Sequence, residues 1–299
     1  MKKYIIIWML ILVTVLGGCA PAPEEDTPAG SGTSGDMSIS CMSFNILAYN
    51  TGNTTYDEPE QRFEGIIPFI LEQDADIVGI QEASRTKGFD WPEEIIKKTK
   101  SVYAARRIDE ELEYGSKKMD IAAGLMILYR ADRFEMLESG SSYYWEDYGR
   151  WYQWVKLKDK KCNKEIYVTN THWSINPMMS DGVTRDIEQG EFLRESEAEE
   201  LVTFWEETVG DAPLFATGDY NCGIHTEPHI NYLQRSHFHN TCEEALSSDG
   251  ESGVDFIYFN TKAMDIDEYM QLPREYTFKD GNKVTMSDHR SVISYATYK

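Results

Sequence analysis

The chain has 299 residues, 41% of them hydrophobic, so it is long enough to bury one large core. Its formal net charge is −22, from 51 acidic against 29 basic side chains. This charge argues against tight, nonspecific binding of nucleic acid, because such binding depends on Lys and Arg at the phosphates. A nuclease is still allowed, since a bound divalent cation and a local arginine reverse the field inside a cleft.

The amino terminus has the features of an export signal. A basic start, Met1-Lys2-Lys3, precedes an apolar run from Tyr4 to Leu16, which is shorter than the ~20 residues of a membrane-spanning helix. The sequence Leu16-Gly17-Gly18-Cys19 resembles a bacterial lipobox. That resemblance implies that residues 1–18 are a lipoprotein signal peptide and that lipidated Cys19 anchors the exported protein to the outer face of a bacterial membrane. An ordinary secretory signal with a chance cysteine is the alternative.

Residues 19–38 are rich in Pro, Gly, Ser and acidic side chains and have no apolar period, which predicts a flexible tether before a catalytic domain at 39–299. The remaining cysteines have no CxxC spacing; they are Cys41, Cys162, Cys222 and Cys242. Export permits disulfides, and a bridge between Cys222 and Cys242 is one of several pairings. The sequence does not assign the connectivity.

Short runs dense in Val, Ile, Tyr, Phe and Trp predict eight strands. In chain order they are Ser40–Ile46, Ile77–Ile80, Ala123–Tyr129, Trp151–Leu157, Ile166–Thr171, Leu214–Thr217, Val254–Phe259 and Ser291–Tyr298. Apolar residues recur near the helical period in two further segments, 58–73, with Pro68 as a kink, and 183–207, from Val183 and Ile187 to Trp205.

Strands outnumber helices, and several strands follow one another without a helix between them. This order favours an α/β (α+β) fold of two packed sheets with outer helices over a doubly wound parallel sheet.

Polar residues that packing does not explain lie where the predicted strands end or, in one case, inside a strand. They are Asn45, Glu82, His172, Asp219, Asn221, Asp255, Asp288 and His289. Strand ends meet in layered folds, so these side chains can form one site. Carboxylate and amide oxygens suit Mg²⁺, a carboxylate can deprotonate water, and a histidine backed by an acid can stabilise charge on a phosphate. The set predicts metal-assisted hydrolysis.

The order of the motifs SFNI, QE, NTH, GDYN, VDFI and SDH over residues 39–299 resembles that of the endonuclease/exonuclease/phosphatase superfamily. The resemblance implies a four-layered sandwich of two mostly antiparallel β-sheets flanked by helices. It also implies a phosphoester hydrolase that uses Mg²⁺, with Mn²⁺ as an allowed substitute, and forms no covalent enzyme intermediate.

Carried over residue by residue, the resemblance makes Glu82 the main metal ligand. Asn45 and Asp288 are then expected near the metal or its waters, with Asn45 also close to substrate.

The same resemblance assigns the catalytic steps. Asp219 orients or deprotonates the attacking water, helped by Asn221. His289, paired with Asp255, and His172 contact the scissile phosphate.

The stretch Ser141–Glu146, followed by Arg150, resembles a family segment whose arginine reaches the substrate phosphate, so Arg150 is a candidate substrate-binding residue. A surface ion pair of Arg150 with Asp147 or Glu146 is an equally weighted alternative.

Two other features suggest further sites. His225 and His229 would share one face of a helix, which allows a second metal site. The aromatic residues between 143 and 154 allow stacking on bases or sugars, although alternation along a strand accounts for half of them.

His172 stands where repair endonucleases of the family typically have tyrosine, so the chain is more similar to the family's secreted deoxyribonucleases, sphingomyelinases and inositol phosphatases. With the negative charge, this favours a small or lipid-derived phosphoester at the cell surface as the substrate. An extracellular endonuclease similar to the deoxyribonucleases is the alternative. A non-catalytic binding lipoprotein on the same fold is a second alternative, but it would require losses at the motif positions, and none is found. The sequence indicates no protein partner.

Overall fold

A computed structural model describes residues 37–47, 58–86, 89–108, 112–114, 117–119, 124–144, 146, 149–223, 233, 237–249 and 253–299. The predicted signal peptide and most of the predicted tether lie outside these residues. Within them, no helix is both long and apolar enough to cross a membrane.

Two large β-sheets form the centre of the fold. One has seven strands, in spatial order Ser247–Asp249, Met264–Gln271, Val292–Tyr298, Ser38–Asn45, Ile77–Gln81, Met126–Arg130 and Tyr103–Arg107. The other has six, in spatial order Phe238–Asn240, Asp255–Asn260, Leu214–Asp219, Lys164–His172, Trp151–Asp159 and Phe134–Tyr143. Eight of the eleven strand pairings in these sheets are antiparallel and three are parallel.

Four helices and three small hairpins complete the described residues. The helices are Pro59–Gln73, Trp91–Thr99, Ile187–Phe204, which continues as a π-helical turn at Trp205–Val209, and Thr241–Glu244. The hairpins pair Arg85–Thr86 with Phe89–Asp90, Leu112–Tyr114 with Lys117–Met119, and Glu275–Thr277 with Lys283–Thr285.

The strand Ser38–Asn45 shows why the fold has four layers. Its side chains alternate, so that Ile39 and Cys41 enter the core between the sheets while Met42 and Phe44 face a second core under the helix Pro59–Gln73. On the other side, the helix Ile187–Phe204 covers a third core on the outer face of the six-stranded sheet. The predicted four-layered sandwich of two mostly antiparallel sheets with outer helices is confirmed.

The two sheets approach closely just behind their polar strand ends. A Cβ atom at Gly79 would lie 1.9 Å from Thr217 Oγ1, so only glycine fits there. Asn170 crosses the gap, because its amide donates to the carbonyls of Ile80, at 2.8 Å, and Met126, at 3.0 Å, and its oxygen accepts from Gln81 at 2.7 Å. These contacts hold the end of one sheet against the end of the other.

Two expectations need correction. The second predicted helix begins at Ile187, not at 183, because Asp186 caps it by accepting from the backbone N–H of Gln189; Val183, in the preceding loop, is 82% exposed. Ile187 is also exposed, so the apolar face starts further along the helix. The second concerns disulfides, which the sequence left open: no bridge joins the described cysteines Cys41, Cys162, Cys222 and Cys242.

Candidate active site

The polar residues at the predicted strand ends gather at one edge of the two sheets. Asn45 and Gln81 are in register at the ends of parallel strands, and Glu82 follows directly. In the other sheet, His172 is in register with Asp219, which in turn is opposite Asp255. Parallel strands bring their carboxyl ends to the same edge, and this places residues far apart in sequence in one site.

Asn45 links the two halves of this site. Its buried amide nitrogen donates to Glu82 Oε1 at 3.1 Å and to Asp219 Oδ2 at 2.9 Å, and its oxygen accepts from the N–H of Leu47. Each carboxylate is therefore oriented by the same side chain. The expected roles of Asn45 at a metal or substrate stay predictions, but its position between Glu82 and Asp219 agrees with them.

Glu82 lies on a strained backbone, with φ of 61°, directly after its strand. Burial raises the pKa of its carboxyl, the hydrogen bond from Asn45 lowers it, and the charges of Asp219 and Asp288 raise it further. Asp288 is the more exposed of the carboxylates near Glu82. This concentration of negative charge is what a cation would relieve.

Asp219 is buried at the end of its strand. Burial and the neighbouring charge of Asp255 raise the pKa of its carboxyl to about 6, against the opposing effects of His289, Asn45 and the Asn221 N–H. Asn221, with φ of 52°, donates this N–H to Asp219 Oδ1 at 2.9 Å. Its side-chain amide donates to the carbonyl of Trp173 at 2.7 Å. Asn221 thus fixes the turn that carries Asp219.

His289 also lies near the carboxylate of Asp219. Its Nδ1 lies 2.8 Å from Asp255 Oδ2, and its Nε2 lies 3.7 Å from Asp219 Oδ2 and 3.8 Å from Asp288 Oδ1. Burial lowers the pKa of the ring, but the hydrogen bond and charge of Asp255, with the charges of Asp219 and Asp288, outweigh it and raise the pKa to about 10. The ring is therefore protonated at neutral pH, and Nδ1 donates to Asp255.

His172 is the second histidine of the site, and its pKa is shifted in the direction opposite to that of His289. Burial lowers the pKa of its ring well below the usual value, and the positive charges of Arg150 and His289 lower it further. Its Nε2 lies 3.5 Å from Asp219 Oδ2. The role of Arg150 as a substrate-binding residue stays a prediction.

Two structural residues of the site were given no role from the sequence: Arg62 lies outside the motifs, and Ser287 is the first residue of SDH. Arg62, fully buried in the first helix, donates to the carbonyls of Ile46 and Leu47 after Asn45 and to that of Met286 before Asp288. Ser287 donates its hydroxyl to Asn45 O at 2.7 Å and accepts from the N–H of His289. Together they connect the loop after the first strand to the segment that carries Asp288 and His289.

The donor set fits a divalent cation. Ligand atoms of Asp219, Asp255 and His289 lie within 4.8 Å of one another. His289 bonds Asp255 through Nδ1 and lies 3.7 Å from Asp219 through Nε2, so a cation held by these three residues would compete with the protons of the ring. Glu82 and Asp288 are the residues that would hold the ion, since hard carboxylate oxygens are what Mg²⁺ and Mn²⁺ take. Burial first, and the charges of neighbouring carboxylates second, raise the pKa values of Glu82, Asp219 and Asp255, and a bound cation would stabilise their charged forms.

Other sequence candidates lie apart from this edge or outside the described residues. His225, His229, Trp145, Asp147 and Tyr148 belong to the latter group. His237 and His239 lie at the far end of the strand that begins with Asp255, where they contact Gly210 O and Glu244. Tyr152 and Trp154 pack against Phe204 of the third helix, so packing accounts for these two aromatic rings.

The sequence matches no protein-family model and no curated protein. Solved structures do resemble the chain. An endonuclease/exonuclease/phosphatase family protein from Bacteroides thetaiotaomicron has a TM-score of 0.68 at 19% identity, covering 88% of this chain and 98% of that one. A mannosyl-6-phosphatase from the same organism has a TM-score of 0.68 at 18% identity over 87% and 99%. The chain has the endonuclease/exonuclease/phosphatase fold. A TDP2 from D. rerio in complex with a single-stranded DNA product shares that fold, with a TM-score of 0.63 at 14% identity over 88% and 100%.

Proposed function

We propose that this protein is a divalent-metal-dependent hydrolase of phosphoester bonds. One observation carries the proposal: the buried carboxylate of Asp219 lies 2.9 Å from the amide nitrogen of Asn45 and 3.7 Å from Nε2 of His289, whose Nδ1 bonds Asp255. A candidate base, Asp219, and a candidate proton donor, His289, therefore lie side by side. Displacement by water at phosphorus can use such a pair, one to take the proton of the water and one to stabilise charge on the phosphate.

The residues divide the reaction between them. Asp219, oriented by Asn45 and Asn221, accepts a proton from the attacking water. His289, held by Asp255, donates a hydrogen bond to the phosphate oxygen on which charge develops. Neutral His172 and the Arg150 guanidinium bind other oxygens of the phosphate. A divalent cation at Glu82 and Asp288 would supply neutralisation of the phosphate charge and a lower pKa for bound water.

For the substrate we propose a small or lipid-derived phosphoester. Support comes from the net charge of −22, which disfavours long polyanions, and from the fold shared with a mannosyl-6-phosphatase. For location we propose export and attachment to a membrane through Cys19, on the strength of the lipobox-like sequence.

The test is hydrolysis of p-nitrophenyl phosphate and bis-p-nitrophenyl phosphate by the full chain, with Mg²⁺ or Mn²⁺ and with EDTA. Metal-dependent release of nitrophenol that Asp219→Asn abolishes supports the proposal. The ratio of the two rates separates monoesterase from diesterase. A panel of sphingomyelin, inositol phosphates, sugar phosphates and single-stranded DNA then identifies the substrate class. Cleavage of DNA alone would favour the endonuclease alternative, and turnover of none of these would favour a binding protein on this fold.

A further inference from the structure

Tyr144 is fully buried beside the site and directly follows the strand Phe134–Tyr143. Its backbone N–H donates to the carbonyl of Arg150 at 3.0 Å, which ties the two residues together. Its side chain reaches the end of the strand Lys164–His172, which lies beyond the strand Trp151–Asp159 in the sheet, and there Thr171 and Trp173 flank His172. Tyr144 therefore contacts the supports of two substrate-binding side chains at once.

The hydroxyl of Tyr144 takes part in a chain of hydrogen bonds with a single direction. Thr171 Oγ1 donates its one proton to the carbonyl of Trp151 at 3.1 Å, so in its 2.7 Å contact with Tyr144 it must accept. The indole N–H of Trp173 donates to the Tyr144 oxygen at 3.1 Å. Each donor in this series of hydrogen bonds has an acceptor. Burial raises the pKa of the Tyr144 hydroxyl well above its usual value, so the phenol keeps its proton.

The chain of hydrogen bonds continues toward the catalytic carboxylate. Trp173 donates its backbone N–H to the carbonyl of Asp219 at 2.9 Å, and its own carbonyl accepts from Asn221. Its ring packs edge-on against Tyr220, with centroids 4.7 Å apart. A displacement of Trp173 would therefore move the strand ends of both His172 and Asp219.

We infer that the Tyr144 hydroxyl is a positioning group that sets the placement of Arg150 relative to His172, and so the fit of the site to a phosphate. The inference rests on the proposed function, since it takes both residues to contact the substrate phosphate. Tyr144 itself is buried behind them and touches no substrate. Fully satisfied buried networks of this kind fix a single geometry, which is what recognition of three phosphate oxygens requires.

The experiment uses the full chain with Mg²⁺ and inorganic phosphate as the probe, measured by calorimetry. Tyr144→Phe keeps the ring and removes one oxygen. It should weaken phosphate binding ~5-fold or more, the scale of one lost buried hydrogen bond, and raise KM for p-nitrophenyl phosphate. Thr171→Val removes the partner hydroxyl at nearly constant shape and should weaken phosphate binding to the same extent. Thr171→Ser keeps the hydroxyl and should bind phosphate like the wild type. These serine and valine variants keep the test decisive if Tyr144→Phe folds poorly.

Tyr103→Phe is the matched control. The Tyr103 hydroxyl is also buried and donates to a carbonyl, that of Ala75, at 2.7 Å, but it lies at the strand Tyr103–Arg107 on the other sheet. Its loss should lower the melting temperature as Tyr144→Phe does and leave phosphate binding unchanged. Equal losses of phosphate binding in the two variants would overturn the inference, because the effect would then be general destabilisation.

A double-mutant cycle with Arg150→Ala tests the mechanism of coupling. If Tyr144 acts by placing Arg150, the double variant binds phosphate more tightly than the product of the two single losses predicts. Strict additivity would overturn the inference. A wild type that neither binds phosphate nor cleaves any phosphoester would overturn the proposed function together with it. A wild type that does both, while Tyr144→Phe and Thr171→Val bind phosphate normally, would overturn the inference alone.

Discussion

The ring of His289 donates from Nδ1 to Asp255 Oδ2 at 2.8 Å, while its Nε2 faces Asp219 Oδ2 at 3.7 Å. One carboxylate therefore holds the ring, and the other is the base of the mechanism that we propose. Because Nδ1 is engaged, only Nε2 points toward the place where a phosphate would bind. The charge state of His289, and with it the pH range of the reaction, depends on this pair.

Asp255→Asn should lower the pKa of His289 from about 10, since it removes the negative charge and leaves only a weaker, neutral acceptor for the Nδ1 hydrogen bond. The alkaline limit of the pH–rate profile should move to lower pH with it. NMR titration of the ring in EDTA measures the pKa directly. Asp265→Asn, a change at an exposed residue paired with Lys299, is the control. An unchanged titration in Asp255→Asn would contradict the assignment.

Stability should depend on pH through the same histidine. The pKa of His289 in the folded chain, about 10, exceeds the ordinary 6.5, so the folded state holds an extra proton between these values. The stabilisation of the folded state by this proton is fully present below pH 6.5 and is lost as the pH rises through 10. The free energy of unfolding should fall by up to about 1.4 kcal/mol per pH unit in this range. Urea unfolding in EDTA at pH 7 and 9.5 should show this loss in the wild type. His289→Gln should have a flatter dependence; equal slopes would argue against a protonated ring.

Glu82→Gln keeps the shape of the side chain and removes a full charge from the expected metal position. Mg²⁺ or Mn²⁺ affinity should fall at least ~10-fold, while the hydrogen bond from Asn45 and the fold persist. Calorimetric titration with Mn²⁺ gives the affinity, and circular dichroism reports the fold. Glu165→Gln, at an exposed surface pair with Lys156, should bind metal like the wild type. Normal affinity in Glu82→Gln would show that the ion, if bound, lies elsewhere.

Asp219→Asn and His289→Ala should each lower kcat by ~10²-fold or more, the scale of losing a general base or an oxyanion donor. KM should change far less, because both interactions strengthen as the transition state forms. Steady-state kinetics on any ester that the wild type cleaves measures both constants. Near-normal turnover in both variants would remove the mechanism.

Cys19→Ser should release the protein from the membrane fraction, because the proposed lipid attachment requires the thiol. Fractionation of expressing bacterial cells, with immunodetection of the chain, is the measurement. A serine variant that remains with the membranes would leave the ordinary secretory signal as the better interpretation of the amino terminus.

Local sequence determined the central strands and two of the helices. The eight predicted strands all occur, because β-branched and aromatic runs that end at polar residues fit few other structures. Five strands of the two large sheets were missed. Two of them, Phe238–Asn240 and Ser247–Asp249, have only three residues each. The others are Tyr103–Arg107, Phe134–Tyr143, which lies at a sheet edge, and Met264–Gln271, whose alternating acids point to solvent. The helix Trp91–Thr99 was also missed; it is short, and tertiary packing of Trp91 and Ile95 stabilises it.

The chemical identity of the site could also be predicted from sequence alone, because unexplained acids, amides and histidines at strand ends have few structural uses. Their order along the chain indicated the fold that the structure shows. What the sequence could not provide is distance. Asn45 and Asp219 are 174 positions apart and share a hydrogen bond only because the strands that carry them end at one edge.

Tertiary structure alone decided the charge states and supports of these residues. His172 and His289 have the same side chain, yet burial beside Arg150 lowers the pKa of one and three carboxylates raise that of the other. Arg62 joins the site through carbonyls, and Tyr144 through a hydroxyl and an indole N–H, all brought to them by packing. Local sequence specifies which groups are present and which strands carry them, whereas pKa values and hydrogen-bond partners depend on three-dimensional neighbours that no local pattern encodes.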